Sequence, residues 1–244
     1  MQQIIFTDLD GTLLNKKYSY SSADSAIKLL KKKKIPLVIC TSKTRAEIED
    51  YRRKLRNKDP FISENGGAVF VPKKYFDFKF KSKSKGKYDV IELGTDYERL
   101  MKFVKKIKKK YKLRFQTFNQ LSAKQVAKET GLPPRLAKLS KRRDYDVTLV
   151  IENKDIIKKL RIESKKAGFT FVHGTRYCHI TGKNDKGKAV DALLRLYRKK
   201  YKTVKSIALG DANNDLPMLK AVDKGYFVKN GPRDWNKIIK KELR

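Results

Sequence analysis

Two apolar segments of strand length, QQIIFTD and PLVICT, are separated by one amphipathic stretch, SADSAIKLLKKKK, with a helix-like spacing of its apolar residues. A buried strand, a helix and a second buried strand favour parallel pairing, because parallel neighbours need a crossover that a tight turn cannot supply. The pattern continues through the helix-like TRAEIEDYRRKLR and the strand pair PFISENGGAVFVP around Gly66 and Gly67. It returns near the C-terminus as the helix DKGKAVDALLRLYRKKY, the strand VKSIALGD, the helix DLPMLKAV and the segment GYFVKNG. Together these stretches predict an α/β body with a parallel sheet covered by helices.

The middle third reads differently. Around KFKSKSKGK the composition turns polar, which marks a boundary near residue 83. Beyond it, YDVIELG, ERLMKFVKKIKKKY, LRFQTF, SAKQVAKETG, YDVTLVIE, DIIKKLRIESKKAG, TFVHG and RYCHITG predict strands with helices on one side. The expected organisation is therefore a Rossmann-like parallel-sheet core of residues 1–82 and 184–244, split by an inserted α+β cap domain over residues 83–183. No internal repeat is evident.

Composition excludes some classes. Hydrophobic residues at 39 % and charged residues at 36 % describe a globular chain with a heavily charged surface. No apolar run approaches the roughly 20 residues that cross a bilayer, and the first residues enter a strand without a signal-peptide pattern. A cytoplasmic protein without a membrane partner is expected. Cys40 and Cys178 lie in apolar segments far apart, as reduced core thiols do. With 61 Lys and Arg against 26 Asp and Glu, the formal charge of +35 will attract polyanions. The lysines are nevertheless spread along the whole chain, many at helix C-terminal turns, with no zinc-finger or RNA-recognition signature. The expectation is steering of a small anionic substrate, with no specific nucleic-acid partner and no oligomeric state legible.

The sequence TDLDGT places Asp8 and Asp10 where the first strand ends and a glycine turn begins. Like charges so close resist burial, so stability alone gives little reason for them. A second pair, Asp211 and Asp215 in IALGDANND, follows another apolar strand. In an open α/β sheet ligands gather at the carboxyl ends of strands, and carboxylates converging there suit a hard cation such as Mg2+. Taken singly, GDANND is as consistent with turn chemistry.

FTDLDGTLL, Thr41 closing the strand LVICT, Lys186 in NDKGKA, and GDANNDLPML resemble, in order, the four motifs of haloacid-dehalogenase-type phosphatases. An insert between Thr41 and Lys186 resembles the large-cap subclass. At a finer level TSKTRAE, PFISENGGAVFVPKKYF, TGLPPRLA and GTRYCHITGKNDKGKA resemble the mannosyl-3-phosphoglycerate phosphatases. The resemblance implies a Mg2+-dependent phosphoric monoester hydrolase that releases phosphate and mannosylglycerate, a compatible solute, through an aspartyl-phosphate. Glucosyl-3-phosphoglycerate, a sugar phosphate or phosphoglycolate are the alternative substrates, and a basic nucleic-acid-binding protein is the alternative of another class. The resemblance makes Asp8 the nucleophile and Asp10 the general acid and base, with Thr41, by its hydroxyl and backbone N–H, and Lys186, by its ammonium, holding the phosphoryl oxygens. Asp8, the backbone carbonyl of Asp10, and Asp211 would serve the metal, with Asp215 supporting them or bonding Lys186.

The same resemblance makes Arg176 and His179 the candidates for the glycerate and sugar ends of the substrate. Strand alternation puts Arg176, Cys178 and Ile180 on one face and Tyr177 and His179 on the other, and His179 is as consistent with a structural histidine. Ser42, Lys43 and Asn65 are further substrate-binding candidates, although ENGG also reads as a hairpin turn favouring positive φ. Asn214 would contact phosphate or shape its own loop.

Overall fold

The structure, a computed structural model, describes residues 1–173 and 177–244. In chain order the strands are β1 (Gln2–Thr7), β2 (Leu37–Cys40), β3 (Phe61–Ser63), β4 (Ala68–Pro72), β5 (Lys83–Lys85), β6 (Tyr88–Glu92), β7 (Gln116–Thr117), β8 (Asp146–Val150), β9 (Thr170–His173), β10 (Cys178–Thr181), β11 (Val204–Gly210) and β12 (Lys224–Phe227). The helices are α1 (Asp24–Lys32), α2 (Arg45–Lys54), α3 (Tyr97–Lys110), α4 (Ala123–Thr130), α5 (Pro134–Ser140), α6 (Lys154–Lys166), α7 (Lys186–Lys200), α8 (Leu216–Lys220) and α9 (Pro232–Glu242). The chain divides into two compact units. One comprises Met1–Ser42, Leu55–Glu92 and Asp185–Arg244; the other comprises Lys43–Lys54 and Leu93–Asn184.

The larger unit is built on an eight-stranded sheet in the order β12-β11-β1-β2-β3-β4-β6-β5. From β12 to β3 every pairing is parallel, and β4, β6 and β5 extend it antiparallel. The fold is thus α/β with a mixed sheet. Ile4, Ile5 and Phe6 of β1 and Val38 and Ile39 of β2 are wholly buried, as expected of central parallel strands covered on both faces. Since β1 pairs with β2 on one side and with β11 on the other, the connections leaving it diverge. Such a reversal of strand order opens a crevice at the carboxyl ends of the strands.

Two boundaries differ from the sequence expectation. Residues 83–92, expected in the insert, form β5 and β6 and continue the larger sheet. Tyr88 explains this, since its ring meets Phe61 and Phe70 edge-on at 5.3 and 5.7 Å and is buried with them. Residues Lys43–Lys54, expected in the core, group with the smaller unit. There Arg135 of α5 donates to both carboxylate oxygens of Asp50, at 2.6 and 2.5 Å, and Thr44 Oγ1 donates to the Leu139 carbonyl at 3.1 Å.

The smaller unit carries an antiparallel sheet, β7-β8-β10-β9. Helices α3 and α6 cover one face, packing Leu100, Phe103, Ile107 and Leu160 on Val147, Leu149, Cys178 and Ile180. The pleat sends Asp146, Thr148 and His179 to the other face. Cys40 and Cys178 are both buried and unpaired. Among the described residues no helix is long and apolar enough to cross a membrane.

Candidate active site

Asp8 leaves the carboxyl end of β1, its N–H donating to the Leu209 carbonyl of β11 at 3.0 Å. Leu209 is followed by Gly210, which ends β11, and then by Asp211. The strand pairing therefore brings together carboxylates some two hundred positions apart. Two glycines make room for these late aspartates. A Cβ on Gly11, at φ +76°, would lie 2.2 Å from Asp211 Oδ2, and one on Gly210 would lie 2.4 Å from the Asp215 Cβ. Thr12 Oγ1 donates to Asp211 Oδ1 at 2.8 Å.

Lys186, the first residue of α7, joins the cluster as its cation. Its Nζ donates to Asp8 Oδ1 at 2.7 Å and to Asp215 Oδ1 at 2.5 Å, and its side chain is wholly buried. The other oxygen of Asp215 accepts from the N–H groups of Asp211 and Ala212, both at 2.9 Å. Asp185 fixes the helix start, its side chain accepting from the Lys188 N–H at 2.8 Å as an N-cap.

One ammonium does not balance three carboxylates. Burial raises the Asp8 carboxyl to about 7, with Asp215 and Asp10 adding to the rise and Lys186 opposing it. Burial likewise raises Asp211, with Thr12 opposing. Burial alone would lower the Lys186 ammonium, but Asp8 and Asp215 overcome it and hold the group above its ordinary range. One oxygen from each of Asp8, Asp211 and Asp215 comes within 4.8 Å of the others. An all-oxygen donor set with surplus negative charge and one half-buried member fits a hard divalent cation such as Mg2+. Asp10 is not one of these three; it is exposed, and its backbone bridges to Leu14.

Thr41 is buried at the end of β2. Its N–H, expected to hold a phosphoryl oxygen, instead donates to the Ile62 carbonyl at 3.2 Å and extends the β2–β3 pairing. Ser42 follows, half-buried. Glu64 and Asn65 adopt φ of 49° and 55°, so ENGG is the positive-φ turn between β3 and β4. Asn65 is also linked to the late aspartate loop, accepting from Asn214 Nδ2 at 3.0 Å.

The remaining candidates belong to the smaller unit. Lys43 is buried there, its Nζ 3.8 Å from Glu47 Oε1 and 5.9 Å from the centre of the Tyr51 ring. His179 Nδ1 lies 2.9 and 3.0 Å from the two oxygens of Asp146. Thr148 Oγ1 donates to Asp146 at 3.1 Å, and Arg143 Nη1 is 3.7 Å away. Burial would raise Asp146, but His179 and Arg143 outweigh it and hold the carboxyl below its ordinary value. Arg176 lies outside the described residues. Sequence reasoning missed Asp146, whose bond to His179 spans 33 positions, and Glu47, which TRAE signalled as half of a capping box with Thr44.

Residues 5–243 match the family of haloacid dehalogenase-like hydrolases, and the chain belongs to that family. Among curated proteins it is 50 % identical over 232 residues to a glucosyl-3-phosphoglycerate/mannosyl-3-phosphoglycerate phosphatase of Methanococcoides burtonii, covering 94 % of this chain and 85 % of the relative. A mannosyl-3-phosphoglycerate phosphatase of Pyrococcus horikoshii is 39 % identical over 228 residues, covering 93 % and 91 %. Among solved structures, a haloacid dehalogenase-like hydrolase from B. subtilis superposes with a TM-score of 0.69 at 18 % identity, over 96 % of this chain and 92 % of that one, which supports the fold.

Proposed function

We propose that this chain is a Mg2+-dependent phosphatase of sugar-3-phosphoglycerates, with mannosyl-3-phosphoglycerate as its principal substrate and Asp8 as its nucleophile. The observation that carries the reading is the bridging of Asp8 and Asp215 by the buried Lys186, with Asp211 beside them. A carboxylate at a strand end, held by an ammonium among further carboxylates, is suited to attack a phosphoryl group. The relatives named for mannosyl and glucosyl substrates support the substrate class, and the double name of one favours glucosyl-3-phosphoglycerate as a second substrate.

In this mechanism an Asp8 carboxylate oxygen forms the bond to phosphorus as the bond to the glycerate oxygen breaks. Asp10 gives its proton to that leaving oxygen, then takes one from the water that attacks the aspartyl-phosphate, so the acid is restored and phosphate leaves. Lys186 holds the Asp8 carboxylate and neutralises phosphoryl charge as it accumulates, and the Thr41 hydroxyl donates to a phosphoryl oxygen. Asp8, the Asp10 carbonyl and Asp211 would hold a divalent cation, with Asp215 supporting the loop, and the cation would supply charge neutralisation at the phosphoryl group. Ser42, Lys43, Asn65, Asn214, Arg176 and His179 remain the proposed contacts to the rest of the substrate. Of these, His179 has its ring oriented by Asp146.

The test is phosphate release from mannosyl-3-phosphoglycerate, glucosyl-3-phosphoglycerate, phosphoglycolate and simple sugar phosphates with Mg2+, by wild type and Asp8→Asn. The reading predicts preference for the two sugar-phosphoglycerates and no turnover by the folded variant. Equal rates on all four esters would overturn the substrate assignment, and an active Asp8→Asn would overturn the mechanism.

A further inference from the structure

The chain has one tryptophan, Trp235 of α9, and it is wholly buried. Its indole N–H donates to Thr7 Oγ1 at 3.0 Å, across 228 positions. The Thr7 hydroxyl in turn donates to the backbone carbonyl of Asp8 at 2.7 Å. Every polar atom of this relay is buried, and each link fills a need of its neighbour. A buried indole needs an acceptor, and a buried hydroxyl needs partners of its own. Thr7 is the only side-chain hydroxyl of β1, the strand QQIIFT, and it stands immediately before Asp8.

The Asp8 peptide is thereby held on both sides. Its N–H is bound to β11 through Leu209, and its carbonyl is bound to α9 through Thr7. The start of α9 also lies beside the loop beyond Asp10, where a Cβ on Gly231 would make ordinary contact with the Gly11 carbonyl oxygen at 3.4 Å. A nucleophile's rate depends on small changes in angle and distance, and side-chain direction follows from its backbone.

We propose that Thr7 and Trp235 are positioning residues, a buried relay by which the C-terminal helix sets the orientation of the Asp8 carboxylate. The inference rests on the reading of Asp8 as the nucleophile. Neither residue touches substrate in this account, so both act on turnover and not on substrate affinity.

The experiment compares Thr7→Val, Thr7→Ser and Trp235→Phe with wild type and Asp8→Asn, using mannosyl-3-phosphoglycerate and Mg2+. Thr7→Val removes both bonds while keeping shape and should lower kcat by about tenfold with KM unchanged, as expected for a misaligned reactive group. Thr7→Ser keeps the hydroxyl and should restore most of the rate. Trp235→Phe keeps an aromatic ring but loses the N–H, and should lower kcat by about threefold, again with KM unchanged. Trp235 emission reports the first link without turnover, because losing the Thr7 acceptor should shift it in Thr7→Val and leave it in place in Thr7→Ser. If Thr7→Val fails to fold, Trp235→Phe and Thr7→Ser carry the comparison. Wild-type kcat in Trp235→Phe or in folded Thr7→Val, with Asp8→Asn inactive, would overturn the relay; activity in Asp8→Asn would overturn the reading beneath it.

Discussion

Gly66 approaches the backbone of Asp185 so closely that a Cβ built on it would lie 2.0 Å from the Asp185 carbonyl oxygen. The turn between β3 and β4 thus seats the first residues of α7, and with them Lys186. Gly66 also has φ +84°, a region costly to side chains. Gly66→Ala should therefore displace the helix start, lower stability by about 2 kcal/mol and reduce phosphate release far more than a surface Gly86→Ala change would. Urea denaturation beside a phosphate assay checks both effects; native turnover in Gly66→Ala would show that the hairpin does not hold the lysine.

Lys186→Met leaves Asp8 and Asp215 buried without their cation. Turnover should fall by at least about a hundredfold, the scale for losing one preorganised charge at a reacting group. Stability without divalent cation should fall by about 3 kcal/mol, since removing one partner strands the others. Calorimetry in chelator reads the second effect independently of the first.

Chelation should stop phosphate release, and Mg2+ should restore it. Asp211→Asn should raise the Mg2+ concentration for half-maximal rate by about tenfold or more, whereas Thr12→Val, which removes only the bond to Asp211, should raise it less. A Mg2+ titration of the three proteins at saturating substrate distinguishes them. Unchanged Mg2+ dependence in Asp211→Asn would remove that residue from the metal site.

Asp50 provides a pH-dependent effect away from the reaction. Hydrogen bonding to Arg135 leads in holding its carboxyl at about 2, with Lys54 assisting against burial. Because the folded value is depressed, the stabilisation is full above the unfolded carboxylate range near pH 4 and is lost as pH falls towards 2. Asp50→Asn should cost about 1 kcal/mol at pH 7, a figure reduced for the solvent exposure of the Arg135 and Lys54 partners. Urea midpoints of both proteins from pH 7 to pH 3 should begin to converge below pH 4, and a constant gap would contradict the pairing.

Much of this architecture was legible because its signals are local. The apolar runs of β1, β2 and β11, each followed by its aspartates or threonine, need only a window of ten residues to read. The placement of β5 and β6 was not legible, since YDVIELG would alternate in the same way on either sheet and Tyr88 chose its neighbours through tertiary packing. The grouping of α2 with α5 rests on Asp50 and Arg135, 85 positions apart. Alternation correctly separated Cys178 and Ile180 from His179, but it could not supply Asp146 as the partner of that ring. Nothing near Thr7 in the sequence marks it, because the indole that binds it stands 228 positions away.

The pairing of β1 with β11 also has a consequence for synthesis. During synthesis β1 must wait for some two hundred further residues before its neighbour β11 exists. Until then one edge of a strand centred on Ile4, Ile5 and Phe6 stays open to other nascent chains, so the late strand brings in Asp211 and Asp215 and also ends the interval of greatest aggregation risk.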